Sequence, residues 1–189
     1  MCFSHAGGLR SNHMKKSLFI IFLILLWPGL TGAAGELKVG DKAPDFILKD
    51  SLGKEFGLNS PELKGKVLSV FYVSPAEKDM NSHVEDALLK DTGLERNKRY
   101  KGLGISNNKA SNWPNFVINR IIKNKQEKTG AIILVDENYT ILNIWGLKNH
   151  SSNVIVLDKE RICRYVYKGK LPAAEVAKLI QIIKEYQVK

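Results

Sequence analysis

Two short runs of apolar residues most constrain what this chain can fold into. Val67–Val73 (VLSVFYV) is almost continuously apolar and rich in β-branched and aromatic residues, and residues 131–135 (AIILV) repeat that composition. Strands that are covered on both faces have this pattern, whereas strands with one face in water alternate apolar and polar residues. The two runs therefore predict a sheet that lies between two layers of other structure.

Helical and extended patterns surround these two runs. Apolar residues at helical spacing predict helices over residues 76–91, 114–122 and 172–186. Short extended pieces are predicted on both sides of a turn at residues 51–53, at residues 103–106, and as a hairpin at residues 154–157 and 162–167. Residues 139–147 fit either a helical turn or a strand, with Trp145 anchored in the core. The alternation predicts an α/β fold with a mixed central sheet flanked by helices.

The first 34 residues differ in character from the rest. Residues 18–27 (LFIIFLILLW) are apolar without a break, follow Lys15 and Lys16, and precede small residues that end in Ala33 and Ala34. A basic head, a short apolar centre and a small-residue exit are the layout of a secretory signal peptide. A membrane span needs about 20 apolar residues. We therefore expect residues 1–34 to be a signal peptide, cleaved after Ala33 or after Ala34, with an uncleaved membrane anchor on an accessory factor as the alternative.

The signal segment bears on two further points. Met14, which directly precedes Lys15, is an alternative start to Met1. Cys2 lies ahead of the apolar run, where it is not a lipoprotein cysteine. The exported chain would then keep only Cys163, so no internal disulfide is expected even in an oxidising compartment.

Several phrases of the chain carry a family resemblance. VGDKAPDFILKDSLGKEFGLNSPELKGKVLSVFYV, at residues 39–73, resembles the opening of thioredoxin-fold redoxins and peroxiredoxins. LKGKVLSVFYVSPAEKDMN, ILVDENYTILNIWGLKNHSSNVIVLDKE and KLPAAEVAKLIQIIKEY resemble, in order and spacing, the YtfJ family of exported bacterial thioredoxin-fold proteins. The resemblance implies a thioredoxin-like domain over residues 35–189 with an N-terminal hairpin extension, and a periplasmic location. It implies no particular reaction.

The redox site of that fold is missing two components. A thiol oxidoreductase holds a cysteine at the N-terminus of the helix after the buried strand, where backbone N–H groups lower the thiol pKa. Here the position holds Ser74, followed by Pro75, and a serine hydroxyl forms neither a disulfide nor a sulfenic acid. The resemblance also implies a cis-proline opposite, where this chain has Ser152 beside Asn153. We therefore predict no catalytic residue and no cofactor, and a former active-site cleft lined by Ser74, Pro75, Ser152 and Asn153.

Other residues suggest chemical functions that compete with this interpretation. Cys163 lies between Arg161 and Arg164, whose charges would lower its pKa, so the alternative function is a thiol or peroxide oxidoreductase that acts through Cys163 or a partner's thiol.

A catalytic pair of Ser74 and His83 is disfavoured, because nine helical residues separate them by roughly 14 Å. No spacing of histidines or acidic residues predicts a metal site. Gly102 and Gly104 lack the rest of a phosphate-binding pattern and are expected to ease entry into a strand.

The positive charge is concentrated in one segment. The whole chain has 29 basic and 19 acidic residues, a net charge of +10 that first suggests nucleic acid. Three of the basic residues belong to the signal segment, and residues 96–128 hold nine of the others with Glu127 as the single acid. This segment predicts either a solvated helix face or a patch of Arg120, Lys123 and Lys125 that meets an envelope protein or an anionic surface. Nucleic acid is not expected, because the chain is exported and has no recognition motif for it.

The sequence therefore predicts an exported, periplasmic, single-domain protein that works as a non-catalytic binding or interaction module. Its contact with the membrane is expected to be transient, through the signal segment alone.

Overall fold

Seven strands form one sheet in the computed structural model, which describes residue 1 and residues 35–189. The predicted signal peptide, the alternative start at Met14 and both candidate cleavage sites lie outside the described residues. The strands are β1 (Leu48–Asp50), β2 (Glu55–Phe56), β3 (Val67–Val73), β4 (Tyr100–Asn107), β5 (Ile132–Asp136), β6 (Ser152–Leu157) and β7 (Cys163–Lys168). The helices are α1 (Ser82–Lys90), α2 (Asn115–Thr129), α3 (Thr140–Ile144) and α4 (Ala173–Val188).

The sheet is mixed, with the strand order β2-β1-β5-β4-β3-β6-β7. Strand β4 runs parallel to both of its neighbours, β3 and β5, whereas β3 pairs antiparallel with β6 and β1 pairs antiparallel with β5. The short hairpin of β1 and β2 extends one edge of the sheet. The predicted α/β class, mixed sheet and N-terminal hairpin are confirmed.

Strand β3 is buried on both faces, as its composition predicts. Val70 and Tyr72 pack into one part of the core, which includes Trp145, and Val67 and Phe71 pack into another part formed with α1 and α4. Burying one valine side chain such as that of Val67 or Val70 stabilises the fold by about 2 kcal/mol. The two cores fix β3 in the sheet and with it the position of the residues that follow its end.

The first predicted helix is divided in two. Residues Pro75–Glu77 form a 3-10 turn, and α1 begins only at Ser82. The cause is Asn81, which is buried and uses its side chain for tertiary contacts: its amide nitrogen donates to Ser152 Oγ and to the Gly169 carbonyl, both at 2.9 Å, and its Oδ1 accepts from the Leu171 N–H at 2.8 Å. A continuous helix over residues 76–91 is therefore wrong.

The ambiguous segment after β5 contains a short helix. Asp136 organises it, because its carboxylate accepts hydrogen bonds from the backbone N–H groups of Thr140 at 2.8 Å and Ile141 at 2.9 Å. Trp145 follows α3 and is fully buried, as predicted, with its Nε1 donating to the Pro44 carbonyl at 3.0 Å. The helical alternative holds for this segment.

Helix α2 lies on the same side of the sheet as α1. It ends at Gly130, whose φ of 63° is left-handed and suits glycine. Within the described residues, no helix is long and apolar enough to cross a membrane.

Candidate functional site

The end of β3 and the start of β6 meet where the redox site of a redoxin would lie. Val73 pairs with Ser152 across the two strands, and the Ser74 backbone N–H donates to the Ser151 carbonyl at 2.9 Å. Pro75 then begins the 3-10 turn. The structure thus brings together the four residues predicted for the former cleft, Ser74, Pro75, Ser152 and Asn153.

These four residues are buried. Ser74 and Ser152 are each 1% exposed, Asn153 is fully buried, and Pro75 is buried as well. The side chains of Ser152 and Asn153 are also occupied. Asn153 accepts from the Lys148 N–H at 3.0 Å and donates to the Tyr72 carbonyl at 3.2 Å, while Ser152 Oγ accepts from Asn81. Ser74, Ser152 and Asn153 therefore present no exposed polar group, and the role of the four residues in binding stays a prediction.

Ser74 differs from the other polar members of this set. Its hydroxyl is buried and has no hydrogen-bond partner among the described residues. A serine nucleophile needs a base within hydrogen-bond reach. His83 does not supply one, because its Nε2 contacts the Leu171 carbonyl at 2.9 Å. The predicted separation of 14 Å assumed one continuous helix from Ser74 to His83, which is wrong because α1 begins at Ser82. The conclusion that the two residues form no catalytic pair is unchanged.

Cys163 is the one cysteine of residues 35–189, and it is fully buried. Its Sγ contacts the Tyr165 carbonyl at 3.4 Å, and burial raises its pKa to about 11. It pairs with Leu157, at the opposite end of β6 from Ser152. Five residues of strand separate the two ends, roughly 17 Å. The thiol therefore lies far from the former redox position.

The arginines on either side of Cys163 do not activate its thiol. Arg161 is buried and donates to the backbone carbonyls of Leu58 at 2.9 Å and Leu63 at 2.7 Å. Arg164 forms an ion pair with Asp158 at 2.7 Å. The charge of Arg164 does lower the Cys163 pKa, as predicted, but the effect of burial is larger and the net shift is upward.

A cavity of about 150 Å³ lies between the sheet and helices α1 and α2. The sequence reasoning missed it. The available signal was the pair Gly102 and Gly104, which face the cavity from the middle of β4 and do not ease entry into the strand as predicted. Pro75 also borders the cavity and connects it to the former redox position.

The basic segment is partly neutralised by α1. Lys125 forms an ion pair with Glu85 at 2.5 Å, and Lys128 forms one with Asp86 at 2.8 Å. Lys125 is therefore not part of an exposed patch with Arg120, because it lies on the inner face of α2. The predicted group of three is reduced to Arg120 and Lys123, which are both exposed. No group of three or more potential metal ligands occurs among residues 35–189.

The order and pairing of the strands, with the β3 end beside the β6 start, define a thioredoxin-fold protein. The same fold occurs in peroxidoxin BcpB from Mycobacterium tuberculosis, which superposes with a TM-score of 0.58 at 18% identity over 79% of this chain and 97% of that chain. At this identity the likeness shows the fold alone.

Residues 36–186 match the family described as "Bacterial protein of unknown function (YtfJ_HI0045)", and the chain belongs to this family. An uncharacterized protein from Haemophilus influenzae is 30% identical over 147 residues, which are 71% of this chain and 73% of that protein. The uncharacterized protein YtfJ from Escherichia coli is 26% identical over 184 residues, which are 91% of this chain and 97% of that protein. The family resemblance in the sequence is confirmed.

Proposed function

We propose that this protein is an exported, periplasmic thioredoxin-fold protein that binds a partner or ligand and carries out no thiol chemistry. One observation carries the proposal: Ser74 occupies the position that a redox-active cysteine needs, and the remaining thiol, Cys163, is fully buried elsewhere. A binding role is consistent with a scaffold that has kept the fold while its reactive group is missing.

The alternative is a thiol or peroxide oxidoreductase. The name of the peroxidoxin with the same fold favours it, and so does the presence of a free thiol. The environment of Cys163 opposes it, because reactive cysteines have a lowered pKa and access to solvent. With its pKa raised to about 11, the Cys163 thiol is almost entirely protonated at neutral pH.

Turnover assays separate the two functions. Purified protein and a Cys163→Ser variant are compared in the reduction of insulin disulfides by dithiothreitol and in the consumption of hydrogen peroxide, with a thioredoxin and a peroxiredoxin as the respective positive controls. We expect both proteins to match the buffer blank. Turnover by the unmodified protein that the Cys163→Ser variant lacks would establish the oxidoreductase instead.

Export is tested by the N-terminus of the protein from cells. We expect a periplasmic fraction to contain a chain that starts at Ala34 or Gly35, because cleavage after Ala33 or Ala34 fits the small-residue exit. Intact residues 18–27 in the membrane fraction would instead support the anchored accessory factor.

The exposed face of α2 is our candidate contact for an envelope protein or an anionic surface. Arg120 and Lys123 are exposed there, although Lys123 also lies 3.9 Å from Glu127. Partners are captured from the cell envelope with the unmodified protein and with an Arg120→Glu/Lys123→Glu variant, and a Lys64→Glu/Lys170→Glu variant serves as the control with the same change in charge. Capture that is lost only in the α2 variant supports the contact, and capture that both variants keep removes it.

A further inference from the structure

We propose that the cavity beneath α2 binds a small carboxylic acid with an apolar body, whose carboxylate pairs with the guanidinium of Arg96. This inference rests on the proposed binding function and gives it a site and a ligand class.

The walls of the cavity are largely apolar and come from four elements. Phe71 of β3, Leu88 of α1, Ile118 and Ile122 of α2, and Ile133 of β5 all border it. A cavity of about 150 Å³ holds a molecule about the size of benzene. The apolar part of the ligand is therefore a phenyl ring or a short alkyl chain, and the two acyl chains of a phospholipid are too large.

Two glycines keep this volume open. Gly102 and Gly104 face the cavity from β4, at positions where the register places them beside Ser69 and Phe71 of β3. A Cβ atom at Gly104 would lie 3.0 Å from Ile133 Cγ1, and one at Gly102 would lie 3.3 Å from Ala131 Cβ. Any larger residue would thus crowd β5 and fill the floor of the cavity.

The polar groups of one end suit a carboxylate. The Nη2 atom of Arg96 is buried and has no hydrogen-bond partner among the described residues. The hydroxyls of Ser69 and Tyr100, also in the cavity wall, lie 2.8 Å apart and share a hydrogen bond. That bond uses one of their two protons, so the other remains available to an acceptor. A buried donor without a partner costs free energy, which an incoming anion would recover.

The other cationic side chains of the wall already have partners. Lys125 pairs with Glu85, Lys78 pairs with Asp79, and Lys101 donates to the Gly130 carbonyl at 2.9 Å. Arg96 is the cation in the described cavity wall whose buried nitrogen lacks an acceptor, and a guanidinium matches the planar geometry of a carboxylate. This selects an acid over an amine or a neutral alcohol.

The test compares three probes that share a phenyl ring by isothermal titration calorimetry: benzoate, benzyl alcohol and benzylamine. We expect benzoate to bind the purified protein with saturation, and the other two to bind at least about tenfold more weakly because they lack the carboxylate. Methyl NMR should show shifts at Ile118 and Ile122, which border the cavity. Equal binding of benzoate and benzyl alcohol, no saturable binding of benzoate, or shifts only at methyl groups outside the cavity would each overturn the proposal.

Two arginine variants locate the carboxylate. Arg96→Met should weaken benzoate binding by about tenfold or more and leave benzyl alcohol binding unchanged. Arg99→Met is the matched control, because Arg99 is exposed and pairs with Glu95 at 3.2 Å. Equal losses in the two variants would contradict the assignment of Arg96. If Arg96→Met does not fold, as judged by circular dichroism, Arg96→Lys and the probe comparison on the unmodified protein decide the question.

The outcome is independent of the redox assays. Failure of benzoate to bind would remove this site while the protein stays without thiol chemistry. Turnover that depends on Cys163 would remove the proposed function, whatever the cavity binds.

Discussion

The backbone N–H of Ser74 donates to the carbonyl oxygen of Ser151 at 2.9 Å, and this bond joins the two segments that form the active site in redoxins. The bond involves only the main chain, so it does not depend on which side chain follows β3. The link between the two segments is therefore independent of a cysteine at position 74. The Ser74 hydroxyl is buried and without a partner among the described residues.

Replacing this hydroxyl should not destabilise the protein. A buried hydroxyl without a hydrogen bond carries a desolvation cost, so we expect Ser74→Ala to leave the free energy of unfolding unchanged or to raise it by about 1 kcal/mol. Ser152→Ala is the matched control. It removes the bond from Asn81 Nδ2 at 2.9 Å and should lower the free energy of unfolding by about 1 kcal/mol. Urea denaturation measures both, and a larger loss in Ser74→Ala would mean that its hydroxyl is bonded.

The Asp136 carboxylate should be a major contributor to stability. It is fully buried and accepts from the N–H groups of Thr140 and Ile141 and from the Tyr72 hydroxyl at 3.1 Å. Asp136→Ala leaves several buried donors unpaired, so we expect a loss of about 3 kcal/mol in the free energy of unfolding. Tyr72→Phe should cost about 1 kcal/mol alone and much less in the Asp136→Ala background, because the shared bond is already gone.

A control for Asp136 is the next residue. Glu137 is exposed, and Glu137→Ala should change the free energy of unfolding by less than about 0.5 kcal/mol. If Asp136→Ala and Glu137→Ala were equally mild, the buried carboxylate would not hold α3 in place.

Lys125 and Glu85 should be energetically coupled. Their side chains are 20% and 15% exposed, so salt screens their 2.5 Å contact less than it screens a surface pair. A double-mutant cycle with Lys125→Met and Glu85→Gln should give a coupling energy of about 1 kcal/mol. Arg120→Met, on the exposed face of α2, should have almost no effect on the free energy of unfolding. A coupling energy of zero would mean that Lys125 and Glu85 behave as independent surface charges.

The Cys163 thiol should be inert in the folded protein. Because burial raises its pKa from 9.0 to about 11, iodoacetamide should label the Cys163 peptide far more slowly in buffer than in urea at pH 8. The raised pKa also makes the stability of the folded protein depend on pH. The folded state keeps the thiol proton above pH 9, where the unfolded chain loses it, so this contribution to stability is present below pH 9 and is lost as the pH rises to 11.

The pH dependence is isolated with a Cys163→Ala variant. Because the pKa is raised to about 11, the unmodified protein should lose on the order of 2 kcal/mol more free energy of unfolding than the variant between pH 8 and pH 11. Parallel curves for the two proteins would show that the Cys163 pKa is the same in the folded and unfolded chains.

The elements that the sequence predicts well are those with a strong local pattern. Val67–Val73 is a buried strand because nearly all of its own residues are aliphatic or aromatic, and Trp145 is buried because a large aromatic ring after an apolar turn has few alternatives. The same local patterns predict the order of the elements. The family resemblance placed Ser74 opposite Ser152, which no periodicity indicates.

What the sequence did not predict depends on tertiary partners. Asn81 interrupts the first helix because it bonds to Ser152 and Leu171, which are more than 70 positions away. Lys125 is not part of the exposed basic patch because it forms an ion pair with Glu85 of α1. The cavity forms where Gly102 and Gly104 of β4 face helix α2. These elements are brought together by the tertiary packing, which no local sequence pattern indicates.

Trapping of sulfenic acid tests most directly whether the Cys163 thiol is reactive. The folded protein is treated with an equivalent of hydrogen peroxide in the presence of dimedone, which traps sulfenic acid, and the mass of the Cys163 peptide is then measured by mass spectrometry. We expect no adduct in the folded protein. A dimedone adduct on Cys163 that forms without unfolding would instead establish a peroxide-reactive cysteine.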